Sequence, residues 1–321
     1  MKVVRLLITD RCPGDSSLIR AVSREVFFFL LVYMVCQPAV TAEQFRFGWD
    51  ANQRADVKAA SRKKGDESTV RYTVALETLP EGDHALHIYD FKFLTLNGID
   101  ATQPEIAARL GPLATLTSKL PTMHISENGE FLGTHGLDEM RQRLLESLGE
   151  EITPQMREQL KRYFESPKLQ AVMQQRSGEM WNVWVGAWNG LDLAAGQEIN
   201  ASVPVAIVGQ SLLQQVHVEH VGSATEYCDT CVRVRMTTLI EGPEVIQLVQ
   251  SLVAEASQQG GETIGDSFQT ARSFGVTEVV VEPSSLRPQY ARMKREVALV
   301  SKAGEERTQQ EEKEFWFSWY Q

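Results

Sequence analysis

Residues 275–320 read GVTEVVVEPSSLRPQYARMKREVALVSKAGEERTQQEEKEFWFSWY. Three runs rich in β-branched and aromatic residues, 275–282, 290–301 and 308–320, are divided by the turn-forming stretch Pro283 to Pro288 and by Ala303-Gly304. In the last run Phe315, Phe317 and Trp319 alternate with Trp316, Ser318 and Tyr320. A period of two is that of a strand, because successive side chains of an extended chain point to opposite faces. Strands joined by such short connections pair antiparallel, since a parallel crossover needs a dozen residues or more.

The same pattern recurs towards the N-terminus. Phe45, Phe47 and Trp49 alternate with polar neighbours, and a polar break at 62–66 precedes a run in which Val70, Tyr72, Val74 and Leu76 share a face. The turn at Pro80-Glu81-Gly82-Asp83 returns the chain into 85–96, completing a meander. A short helix is expected after Gln103-Pro104, and 123–132 reads as a hairpin about Asn128-Gly129.

The middle changes period. Leu137, Met140, Leu144, Leu145 and Leu148 form a helical stripe, and Thr153-Pro154 and Ser166-Pro167 each place a capping residue before a proline suited to the first helical turn. The helix from Pro167 carries Leu169, Val172, Met173, Met180, Trp181, Trp184 and Trp188 at three- and four-residue spacings. Strands follow at 201–208, 213–221 and 232–239, then a helix at 243–257 and a glycine-rich loop at 258–261. Strands at both ends and capped helices between them imply an antiparallel α+β protein. A sheet of so many strands must curl, so the expectation is a strongly curved antiparallel sheet, an incomplete barrel, with a helical insertion near 136–189 on its concave face.

Residues 1–42 read as a signal peptide. Arg20 and Arg24 precede the apolar run 26–35, and Val40 and Ala42 occupy the small-residue positions of a cleavage site before Glu43. The run is about half of what a bilayer-spanning helix needs, which disfavours a transmembrane anchor. Cys36 lies where a lipoprotein cysteine would, but the preceding Val35 is β-branched where such signals carry a small residue, so lipid anchoring is disfavoured. The implied location is the periplasm, with 43–321 as a single domain. Of 32 Lys+Arg and 42 Asp+Glu, the leader holds Lys2, Arg5, Arg11, Arg20 and Arg24 against Asp10, Asp15 and Glu25. The remainder carries 27 basic and 39 acidic residues, a net charge of −12. That balance argues against a nucleic-acid partner and against electrostatic docking on an anionic membrane.

With Cys12 and Cys36 in the leader, Cys228 and Cys231 are the remaining cysteines. In an oxidising compartment they are expected to pair as a structural disulfide, since the residues after them alternate as a strand and supply no helix N-terminus to activate a thiolate. His217-Val218-Glu219-His220 resembles a metal motif, but on a strand His217 and Glu219 share one face and His220 the other. That arrangement cannot chelate one ion without a third element, so no metal site is assigned. Gly209-Gln210-Ser211 lacks the second glycine of a nucleophile elbow, and no phosphate-cradling glycine loop precedes a helix. No catalytic residue is assigned; an enzyme is not the expectation.

Aromatic residues are the remaining oddity. Trp181, Trp184 and Trp188 share one helical stripe, and the last strand is aromatic on both faces. Such residues fill a core or line an apolar pocket. An N-terminal meander, a helical middle, and closing strands after Glu282-Pro283-Ser284-Ser285-Leu286-Arg287-Pro288 together resemble the LolA-like periplasmic incomplete-barrel carriers, and other exported Gram-negative families share such an outline. The larger helical middle and the Cys228–Cys231 pair depart from the LolA-like pattern. The resemblance implies a lipid or other apolar ligand on the concave face, with Trp181, Trp184 and Trp188 as candidate wall residues. The alternative is a structural or assembly component of the cell envelope that binds another protein through a sheet edge or the aromatic C-terminal strand.

Overall fold

A computed structural model describes residues 42–111, 120–147, 153–207, 210–258 and 268–320. The signal-peptide reading of residues 1–42 and the expected loop at 259–261 lie outside the described residues, apart from Ala42. The described residues belong to one unit, Ala42–Gln321.

Its frame is a 12-stranded sheet in which every pairing is antiparallel. In chain order the strands are β1 (Glu43–Gln44), β2 (Arg54–Lys63), β3 (Asp66–Thr78), β4 (His84–Leu96), β5 (Ile99–Asp100), β6 (Thr122–Ile125), β7 (Phe131–His135), β8 (Asp192–Leu193), β9 (Glu198–Ile207), β10 (Gln210–Ser223), β11 (Val232–Glu241), β12 (Phe268–Glu282), β13 (Arg287–Ser301) and β14 (Glu306–Trp319). The spatial order runs β7-β6-β4-β3-β2-β14-β13-β12-β11-β10-β9, with β5 beside β4, and β1 pairs with β8 in a separate ribbon. The ends of the order, β7 and β9, do not pair, so the sheet is open.

The closing three strands form as their alternation predicts, and β14 then pairs with β2 to join the two halves of the chain. This placement overturns one expectation: the aromatic C-terminal strand is internal, flanked by β13 and β2, and offers no edge to a partner. One face of it, Phe315 and Phe317, faces the main core. On the other, Trp316 packs beside Tyr290 in a small cluster with Cys228, Cys231 and Ala224. Lys58 Nζ lies 5.6 Å from the Trp316 ring. Cys228 and Cys231 are disulfide-bonded, and Ala224 N–H donates to the Cys231 carbonyl, closing the loop that covers this second aromatic face.

The helices are α1 (Pro104–Arg109), α2 (Leu137–Ser147), α3 (Pro154–Phe164), α4 (Pro167–Trp181) and α5 (Pro243–Gln258), with a π-helical turn, Asn182–Gly186, continuing α4. Thr153 caps α3 as expected, its Oγ1 accepting the Met156 N–H at 3.2 Å. The end of α4, the π turn and the turn after it bury Trp181, Val183, Trp184, Val185 and Trp188 in one cluster with Val57, Tyr72, Val279, Ala291, Phe315 and Phe317. Further along, α5 buries Val245 and Leu248 against Leu212, Ile240 and Ala271. Nothing interrupts the alternation of β12 between Ala271 and Val279, so both clusters occupy the same face, called here the packed face.

The expected first strand at 45–49 is instead an extended segment outside the main sheet. Its amides donate to Leu191, Pro283 and Ser285 carbonyls, at 2.9, 3.1 and 3.1 Å, and turns rather than a straight strand supply its partners. It crosses the hairpin turn at Asn128-Gly129. Gly129 has φ +82°, and a Cβ there would lie 2.5 Å from Phe47 Cβ, so only glycine serves both the turn and the close approach.

Candidate functional site

The sequence points to an apolar space beside the tryptophan helix. The structure places Trp181, Trp184 and Trp188 at 0% exposure. Trp184 stands edge-on to Phe315 and Phe317, with ring centroids at 5.4 and 5.3 Å. Trp181 contacts Phe47 and Trp49, and its Nε1–H donates to the Gly129 carbonyl at 2.9 Å. Trp188 Nε1–H donates to the Val183 carbonyl at 3.0 Å. These rings are part of the packed core.

A cavity of about 290 Å³ does lie against the same helix, one to two turns earlier. From α4 and the π turn it is walled by Met173, Arg176, Ser177, Glu179, Met180 and Val183; the sheet supplies Ala59, Val70, Tyr72, Met293, Lys313 and Phe315. Its depth has a local cause. On β2, Ala59 sits in register between Phe315 on one neighbour and Val70 on the other, so a methyl group stands where the flanking strands carry larger side chains. Three methionines complete the apolar wall, and their unbranched, rotatable thioethers adapt to irregular shapes.

Two features make the wall more than a packing gap. Tyr72 is 4% exposed and stacks on Phe91, with ring centroids at 5.8 Å. Among the described residues its hydroxyl has no hydrogen-bond partner, and burial raises its pKa, so it stays a neutral phenol that can donate. An unpaired buried hydroxyl costs about 1–3 kcal/mol, which a polar atom of a bound molecule would offset.

The second feature is the rim. Glu311 receives Lys313 Nζ at 3.1 Å, Lys63 Nζ at 3.5 Å and Arg176 Nη1 at 3.7 Å. Glu179 receives Arg176 at 3.4 Å and Arg295 at 3.6 Å. Two carboxylates are thus shared among four basic groups, a local cationic excess on an acidic chain. Burial pushes the Glu311 carboxyl up, but the Lys313 hydrogen bond and the charges of Lys313, Lys63 and Arg176 together hold it below the ordinary glutamate value.

In the sequence Met173 and Met180 stand out as helical-stripe residues and Tyr72 as a strand residue, with nothing to mark them as a wall, and Ala59, Met293, Arg176 and Lys313 do not stand out. The available signal was the weak alternation Ala55, Val57, Ala59, whose small side chains read poorly as a strand yet leave room in front of a sheet.

No protein-family model matches the chain, and no curated protein matches it. Among solved structures the chain is similar to one of lipovitellin, described by its lipid–protein interactions, at 9% identity and a TM-score of 0.40. The match covers 86% of this chain and 25% of that one, so the chain spans about a quarter of that protein's length. At that score the likeness carries no argument about fold or ligand, and the LolA-like resemblance rests on architectural outline alone.

Proposed function

We propose that this protein binds an acidic amphiphile, its apolar body in the cavity between α4 and the packed face, its anionic group among Lys313, Arg176, Lys63 and Arg295. The observation that carries the reading is the joining, at one site, of a methionine-rich apolar cavity, an unpaired buried Tyr72 hydroxyl and a cationic rim. Ligand pockets commonly have this character, mostly apolar walls with a few placed polar groups that fix orientation. The proposed setting is the periplasm. A leader-like segment at 1–42 and a formed disulfide support it, and no helix among the described residues is long and apolar enough to cross a membrane. The proposed role is carriage rather than chemistry, and it is supported by the commitment of the rim carboxylates Glu311 and Glu179 to ion pairs.

Native mass spectrometry of the purified protein, before and after solvent extraction, tests this. An extractable acidic lipid at one per chain is the expected result. Protein free of any bound species, combined with no uptake of added fatty acid, overturns it.

A further inference from the structure

We infer that Glu198, His217 and Glu219 form a binding site for a divalent first-row transition-metal ion on the opposite face of the sheet from the amphiphile cavity. A strand places His217 and Glu219 on one face, where two donors alone hold an ion poorly. The β9–β10 register supplies a third: Glu198 lies directly across from Glu219, and Asn200 directly across from His217. One donor atom of each of Glu198, His217 and Glu219 lies within 4.8 Å of the others. Ligands at zinc-type bond lengths of about 2.0–2.1 Å stand roughly 3.3 Å apart in a tetrahedron, so rotamer shifts of about 1 Å on exposed or half-buried side chains close the site.

The surrounding groups orient the donors as a metal site requires. Asn200 Oδ1 lies 2.9 Å from His217 Nδ1, which fixes the N–H there and leaves the Nε2 lone pair for the metal. Arg235 Nη1–H donates to Glu219 Oε1 at 3.0 Å, steering that carboxylate. Arg235 is itself held by Glu278, at 3.1 Å from Nε and 3.0 Å from Nη2, and Glu278 also takes Arg233 at 2.7 Å. Two carboxylates and a neutral imidazole match a charge of +2, and the mixed nitrogen and oxygen set suits zinc, iron or manganese. Three protein ligands leave a coordination position open. His217 also lines a groove of about 430 Å³ with Ser202, Gln215, Leu239 and Phe274, so an ion held by it sits at the border of that groove.

Zinc is the probe. Titration of the metal-free protein against a competing chelator is expected to show one Zn²⁺ per chain, lost in His217→Ala and in the exposed-site variant Glu198→Gln. Asn200→Ala, which touches no metal, is expected to weaken binding ten- to hundredfold. His124→Ala with His135→Ala removes a close imidazole pair elsewhere in the fold, 3.4 Å apart, and is expected to change nothing. The inference fails if wild type binds no zinc, if His217→Ala and Glu198→Gln retain it, or if the ion leaves with the His124 and His135 pair. Circular dichroism on each variant separates loss of the site from loss of fold. The site stands apart from the amphiphile cavity, so failure of either leaves the other untouched.

Discussion

Replacing Tyr72 by Phe removes one hydroxyl from the cavity wall and should move stability and binding in opposite directions. In the free protein that hydroxyl is buried and has no hydrogen-bond partner among the described residues. A group in that state costs about 1–3 kcal/mol. Its removal leaves the ring and its stack on Phe91 in place, so the variant should be more stable by about 1–2 kcal/mol. At about 2.1 cal/mol/K per residue, the unfolding entropy of roughly 280 residues is about 0.6 kcal/mol/K, which converts the gain into a Tm rise of about 2–3 °C. A ligand that accepts the Tyr72 hydrogen bond loses about 0.5–1.5 kcal/mol, a two- to tenfold weaker Kd. Differential scanning calorimetry on extracted protein gives the first quantity, and fluorescence titration with a labelled fatty acid gives the second. A Tm drop of similar size in Tyr72→Phe would instead show the hydroxyl already satisfied in the free protein and unavailable to orient a ligand.

Trp184→Ala should destabilise by about 3–5 kcal/mol, read from denaturant midpoints, because a fully buried ring between Phe315 and Phe317 leaves a cavity when truncated. The Cys228→Ser, Cys231→Ser double variant should lose about 2 kcal/mol, the chain-entropy value for so short a loop, and wild type in reductant should match it. Burial pushes Glu282 up, but hydrogen bonds from Ser285 and Arg287 and the Arg287 charge hold it below the ordinary glutamate value. Such a depressed folded pKa stabilises the protein above about pH 4.3, and the contribution is lost as pH falls through the folded value; Tm measured from pH 7 to 3 should fall less steeply in Glu282→Gln.

Much of the sheet was legible because period two survives in strongly apolar strands: β3, β4, β11, β13 and β14 lie where their alternation put them. Strand β2 was not, since Ala55, Val57 and Ala59 carry too little apolar bulk to announce a strand, and Phe45, Phe47 and Trp49 drew the assignment instead. That the strands at the two ends of the chain share one sheet was legible, but the particular pairing of β14 with β2 was not. It is a long-range choice between aromatic Phe315 and small Ala59, and local pattern holds no record of it. The tryptophans were legible as buried and not as core or wall, because helical spacing fixes a direction without fixing what fills the space in front of it. The cavity itself depends on Ala59 meeting Phe315 across β2 and β14, so it emerges only with the register.

Ligand binding on this reading takes place in the space in front of Ala59. Ala59→Leu fills it from the floor with apolar bulk, and the circular dichroism and Tm of the variant report whether the fold is kept. Titrated with a dansyl-labelled fatty acid, wild type should bind one per chain, and folded Ala59→Leu should bind at least tenfold more weakly. Equal affinity in the two proteins, with the variant folded, would show that the ligand does not occupy this space.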